Sequence, residues 1–162
     1  MKQVYLSLGS NLGDRPARLH RALDELAAAG LEVVRVSPFY RTEPVGYRPQ
    51  PWFVNVVAEV RTDLLPLRLL SVLQRIELKM GRRRTTPKGP RPIDLDILFY
   101  DNAVVRSAAL TIPHERMAER KFVLIPLNEL APNLRHPVTR RTVAEMLSET
   151  PDRSQVVRLD SD

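Results

Sequence analysis

The segment RPIDLDILFY, residues 91–100, alternates polar and apolar residues as a half-buried strand does. That alternation sets Asp94 and Asp96 side by side on one face, opposite Ile93, Leu95, Ile97 and Phe99. Asp is among the residues that strands use least, and two carboxylates roughly 6.5 Å apart along a strand repel when both are ionised. A solvated polar face is one account of the pair. The other is a divalent cation that relieves the repulsion. Mg²⁺ takes hard oxygen ligands, one or two of them carboxylates, with phosphate oxygens and water completing its octahedron. Two carboxylates on one face suit a shared site for one or two ions. No His/Cys cluster adjoins them, so zinc is not expected. The chain has no cysteine, which excludes disulfides and thiolate catalysis.

The loop GRRRTTPKGPRP, residues 81–92, runs directly into that strand. Alone, Arg82, Arg83 and Arg84 would be a solvated charge run. Here the loop also delivers Arg91 three residues before Asp94. Carboxylates that hold a metal, beside arginines, are what a polyphosphate needs at its charged oxygens. A loop of this length in a compact domain is often a lid.

A third constellation is WFVNVVAEV, residues 52–60. Read as a strand, it puts Phe53, Asn55, Val57 and Glu59 on one face and Trp52, Val54, Val56 and Val60 on the other. A buried Asn must be hydrogen-bonded. It is either a satisfied structural group or a reader of a flat heterocycle, offering a donor and an acceptor together, with Phe53 as a stacking plane. His114, in TIPHERMAER with Arg116 and Arg120 close behind, is a structural histidine or a group that gives a phosphate a hydrogen bond or a cationic charge. GSNLGD, residues 9–14, lacks the GK[ST] ending of a phosphate-binding P-loop and reads as a turn plus helix cap.

The elements that position these groups follow from periodicity. Strands are expected over 3–8, 31–41, 52–60 and 93–99, with a short partner over 103–105 and a last strand over 155–159. Helices are expected from Asp14 to Gly30 and from Pro66 to Gly81, with two weaker ones near 123–130 and 142–147. The order strand, helix, strand, strand, helix, strand is that of ferredoxin-like α+β folds. We expect a split βαβ antiparallel sheet in a single-domain three-layer sandwich over residues 1–162, with helices covering one face and the other left for loops and ligands.

The chain of 162 residues carries 25 Lys and Arg against 19 Asp and Glu, a net charge of +6, which favours an anionic partner without choosing one. No run approaches the ~20 apolar residues of a membrane span, and the N-terminal apolar stretch is too short for a signal peptide. A cytoplasmic, soluble protein that binds no membrane is the expectation.

The segments YLSLGSNLGDR, FYRTEPVG, WFVNVV, QRIELKMGRRR, GPRPIDLDILFY and LTIPHERMAERKFVLIPL, in that order, resemble the 6-hydroxymethyl-7,8-dihydropterin pyrophosphokinases of folate biosynthesis. The resemblance implies transfer of diphosphate from ATP to the pterin hydroxymethyl group, releasing AMP. It implies two Mg²⁺ ions bridging the ATP phosphates, with Asp94 and Asp96 as the metal ligands. It assigns pterin binding to Thr42, Glu43, Pro44, Val45, Phe53, Asn55 and Phe122. Nucleotide binding falls to Gln74, Glu77, Arg84, Arg91, Ile97, Thr111, His114 and Arg120. Arg82, Arg91, Asp94 and Asp96 serve catalysis, and the enzyme is expected to be a monomer. Lys88, Ala109, Glu115 and Glu43 depart from the commoner bacterial pattern. Two other classes share some of these features. A basic sheet with aromatics could stack nucleic-acid bases, but Asp94 and Asp96 would repel its phosphates unless metal-loaded, so no nucleic-acid partner is expected. A metal-dependent phosphohydrolase would use the same aspartates and arginines without a pterin pocket.

Overall fold

The computed structural model describes residues 1–44, 49–82 and 90–159. Val45, Arg83, Arg84 and Lys88, named above, lie outside the described residues. The elements are β1 (Lys2–Ser10), α1 (Arg15–Ala28), β2 (Glu32–Val36), β3 (Tyr40–Thr42), β4 (Phe53–Thr62), α2 (Pro66–Lys79) and β5 (Asp94–Tyr100). A short hairpin follows, of β6 (Val105–Arg106) and β7 (Thr111–Ile112), then a 3₁₀ turn (Met117–Glu119), α3 (Lys121–Leu130), α4 (Val143–Glu149) and β8 (Val156–Arg158). The main sheet is antiparallel, with strand order β5-β1-β4-β3-β8 and β2 also paired to β4. This is the ferredoxin-like order.

Local sequence explains the element ends. Asp14 caps α1 by accepting a 3.1 Å hydrogen bond from the Ala17 N–H, and Pro16 occupies the first turn. Gly81, at φ +97°, turns the chain out of α2. The strand expected over 31–41 is two strands. Pro38 has no N–H for a ladder, and the chain breaks there, so β2 pairs with residues 58–61 of β4 and β3 with residues 53–55. The strand expected over 103–105 lies slightly later, at Val105–Arg106.

One face of the sheet is dry. Val4, Leu6 and Leu8 of β1, Val54, Val56 and Val60 of β4 and Leu95 of β5 bury against Leu19, Ala22 and Leu26 of α1 and Leu69 and Leu73 of α2. A leucine or valine taken fully out of water there stabilises the fold by about 1.5–3 kcal/mol. The opposite face departs from expectation, for it is not left to loops and ligands alone. Val123, Leu124 and Leu127 of α3 and Met146 of α4 pack on Tyr5, Val57, Leu98 and Phe99 at its far end, which supplies the sandwich's third layer.

Phe99 is also a correction. Strict alternation aligns it with Ile93, Leu95 and Ile97, yet it lies on the α3 side. The register explains this: Leu6 pairs with Ile97 but Tyr5 with Phe99, so Leu98 is the extra residue of a β-bulge. Leu98 and Phe99 therefore share the α3 face, and Tyr100 returns to the α1–α2 core.

Candidate functional site

The near end of the sheet's second face carries the chemistry. Register places Asp94, Gly9 and Asn55 in one row across β5, β1 and β4, and Asp96, Ser7 and Val57 in the next. The middle position of the first row must be glycine. A Cβ on Gly9 would stand 2.4 Å from Asn55 Oδ1 and 3.6 Å from the Phe53 ring, so the amide and the aromatic lie directly on the β1 backbone. Asn55 is buried, and its Nδ2 donates a 2.6 Å hydrogen bond to Thr42 Oγ1. Phe53, Asn55, Thr42, Glu43 and Phe122 share a cleft of about 460 Å³ with Arg91, Asp94, Asp96, His114 and Arg120. Groups expected to hold a heterocycle and groups expected to hold phosphates thus line one cavity.

Its electrostatics set buried carboxyl groups against arginines. Burial, then the Asp94 charge and that of Glu77, push Asp96 up to about 7. Arg82 Nη1 donates to Asp94 Oδ1 at 2.6 Å and to Glu77 Oε2 at 2.9 Å. Glu77 also accepts from the Leu95 N–H at 2.8 Å, and its own carboxyl is raised, chiefly by burial. Arg91 Nε sits 3.8 Å from Asp94 Oδ2 and is buried without a hydrogen-bond partner among the described residues. Its guanidinium lies 5.2 Å from the Phe53 ring centre, and that of Arg120 5.7 Å from Phe122.

These residues fit Mg²⁺. The two aspartates are hard oxygen donors whose mutual repulsion a cation would relieve. No group of three or more His, Cys, Asp and Glu converges among the described residues. On two carboxylates, the remaining positions of such an ion would fall to phosphate and water.

His114 is a hydrogen-bonding group rather than a cation. Burial and the nearby Arg120 push it down to about 4. Its Nδ1 accepts from the Arg116 N–H at 3.2 Å, which leaves Nε2 to carry the proton and donate. Beside it a smaller cleft of about 270 Å³ is lined by Asp96, Ile97, Ala109, Thr111 and Glu115. Ile97 thus belongs both to the apolar core and to the wall of this second space.

The other expected residues are dispersed. Gln74 is exposed on α2 and borders neither cleft, and Pro44 is buried. Arg82 bonds to Asp94 and Glu77, and Glu77 accepts from the Leu95 N–H. A larger cleft of about 820 Å³, between the β6–β7 hairpin and residues 136–151, includes His114 but neither aspartate nor Asn55. Sequence reading gave no site role to Ser7, Gly9 and Glu119 and named Arg116 only as a neighbour of His114; all four line the 460 Å³ cleft. The available signal was Gly9 itself, since a glycine inside an apolar strand marks close backbone approach.

Residues 5–132 match the family model described as 7,8-dihydro-6-hydroxymethylpterin-pyrophosphokinase (HPPK). The 2-amino-4-hydroxy-6-hydroxymethyldihydropteridine pyrophosphokinase of Haemophilus influenzae is 40% identical over 96% of this chain and 98% of its own length. The Methylorubrum extorquens protein of the same name is 45% identical over 92% and 94%. The folic acid synthesis protein fol1 of Schizosaccharomyces pombe is 47% identical over 98% of this chain, which spans only 21% of that relative's length. In structure, the wild-type Plasmodium falciparum HPPK-DHPS aligns with a TM-score of 0.72 over 91% of this chain and 44% of its own, at 15% identity, a likeness of fold alone. The family match over most of the chain and the relatives covered nearly end to end agree: the chain belongs to the 7,8-dihydro-6-hydroxymethylpterin pyrophosphokinase family.

Proposed function

We propose that this chain transfers diphosphate from ATP to the hydroxymethyl group of 6-hydroxymethyl-7,8-dihydropterin, giving AMP and the pterin diphosphate. The observation that carries the reading is one cleft of about 460 Å³ holding the aspartate pair, Arg91 and Arg120, and the Phe53–Asn55–Phe122 wall. Asn55 reads the pterin edge while Phe53 and Phe122 offer its faces apolar contact, and Thr42, Glu43, Pro44 and Val45 complete that side. Gln74, Glu77, Arg84, Ile97, Thr111, His114 and Arg120 serve the nucleotide, His114 as a neutral donor from Nε2.

Asp94 and Asp96 would hold Mg²⁺, which when bound supplies positive charge to the phosphate oxygens. The chain's own residues do the rest. Arg82 and Arg91 carry guanidinium charge to the β-phosphoryl group as charge develops on its oxygens. The pterin wall holds the hydroxymethyl oxygen in line with the β-phosphorus, so a new P–O bond forms as the bond to the AMP oxygen breaks and the hydroxyl proton is lost to water. That positioning supplies much of the rate. Residues 1–162 work as one domain. Its substrates are small molecules, and we take it to act as a monomeric, cytoplasmic enzyme without nucleic acid or membrane. No helix among the described residues is long and apolar enough to cross a membrane.

The test is to incubate the protein with ATP, Mg²⁺ and the pterin and to identify the nucleotide released. AMP formed only with pterin is the expected product. ADP, or AMP independent of pterin, overturns the reading.

A further inference from the structure

Asn11 lines neither the 460 Å³ nor the 270 Å³ cleft, yet it is only 1% exposed and every polar group of its side chain is engaged. It immediately follows β1. Its backbone N–H donates to Arg91 O at 3.2 Å, and its Oδ1 accepts from the Arg91 N–H at 2.8 Å. On the other side Nδ2 donates to Gln50 Oε1 at 2.7 Å and to Pro51 O at 3.1 Å. One residue therefore joins two chain segments that are 40 positions apart. The first enters β4 two residues before Phe53. The second carries Arg91 and enters β5 at Asp94.

We propose that Asn11 is a positioning residue that sets the pterin wall against the phosphate-binding wall. The inference rests on the function proposed above. The reaction joins an oxygen held by one wall to a phosphorus held by the other, so its rate depends on their separation more than on either wall's own shape. Arg91 spans that separation, with its backbone pinned by Asn11 and its guanidinium 5.2 Å from the Phe53 ring centre. The backbone ladder of β1 reaches Gly9 on the β5 side and Ser10 on the β4 side; beyond it, Asn11 joins the two segments, by its backbone N–H to Arg91 O and by its side-chain amide to Arg91, Gln50 and Pro51.

Full-length Asn11→Ala and Asn11→Asp variants test this. Asp keeps the acceptor for the Arg91 N–H but loses donation to Gln50 and Pro51. Three quantities are read at a temperature well below each variant's melting point. They are kcat, KM for each substrate, and the affinity for 6-hydroxymethylpterin with and without Mg²⁺ and α,β-methylene-ATP, in which the bond to be broken is blocked. A displacement of the walls near 1 Å should lower kcat by roughly 10–100-fold. The KM for ATP should stay near wild type, and the gain in pterin affinity that the nucleotide analogue confers should shrink in both variants. Wild-type kcat in Asn11→Ala overturns the proposal, as does wild-type behaviour of Asn11→Asp, because a tie needs both ends. A fall in kcat no larger than the loss of folded protein measured by circular dichroism also overturns it. Should Asn11→Ala not fold, Asn11→Asp decides. Absence of pterin-dependent AMP from the wild type would instead count against the proposed function and leave the wild-type binding comparison to judge the tie.

Discussion

The two faces of the sheet are made by alternate residues of the same three strands, and they do opposite things. Under α1 and α2, β1 offers Val4, Leu6 and Leu8; between them, on the other side, it offers Tyr5, Ser7 and Gly9. β4 alternates Val54 and Val56 with Phe53 and Asn55, and β5 alternates Leu95 and Ile97 with Asp94 and Asp96. The apolar face gains free energy from burial, and so anchors the strands firmly enough for their other side to hold two like charges close together. A carboxylate pair on a loop could relax its repulsion by moving apart. On a strand whose neighbours are locked in a core it cannot.

Substitutions on the two faces should therefore separate cleanly. The largest effect belongs to Asp94→Ala and Asp96→Ala: turnover is lost while far-UV circular dichroism stays native, and survival of catalysis in the AMP assay would remove the metal assignment. Leu73→Ala, on the apolar face, should cost about 2–5 kcal/mol of stability through the cavity it leaves, read by denaturant unfolding. Its kcat well below the melting point should match wild type, and a matched fall in kcat would break the division between faces. Asn55→Ala should weaken pterin binding by about 1–3 kcal/mol, the cost of unpaired polar groups. ATP affinity, measured by calorimetry, should hold.

The effect that is smallest at neutral pH is a pH dependence at His114. Its folded value, about 4, lies below the ordinary 6.5. As pH falls through that window the unfolded chain takes up a proton that the folded chain refuses, so this group's contribution to stability is lost. Above pH 6.5 the contribution is complete. His114→Gln has no such proton, so its stability relative to wild type should improve as pH drops from 6.5 to 4 in metal-free buffer. A constant difference across that range would show that His114 titrates normally.

Much of this was legible in the sequence because strands have a period of two. The faces of β4 and the aspartate pair follow from alternation, and the helices from their apolar spacing and from Asp14 and Gly81. The rest was hidden for particular reasons. Pro38 divides one predicted strand because the two halves pair with different stretches of β4. Phe99 changed sides because a bulge depends on the partner strand, which local spacing does not record. Gly9 and Asn11 read as turn residues. Their roles lie in contacts with residues some 40 to 80 positions away.

The extra residue at Leu98 has a consequence of its own. Its carbonyl accepts a 3.0 Å hydrogen bond from the His114 N–H, so the irregularity in β5 is also a mooring for the segment that brings His114 to the cleft. It divides the strand into two units with independent parity. Residues 94–97 keep the carboxylates on their side whatever follows, and residues 99–100 keep theirs whatever precedes. Deleting Leu98 would restore unbroken alternation, with Phe99 still opposite Tyr5 and Tyr100 still opposite Val4, and would remove the carbonyl that moors His114, yet leave both aspartates where they stand. The strand behaves less like a ruler than like a hinged joint between two parts, each free to vary in sequence without misaligning the other.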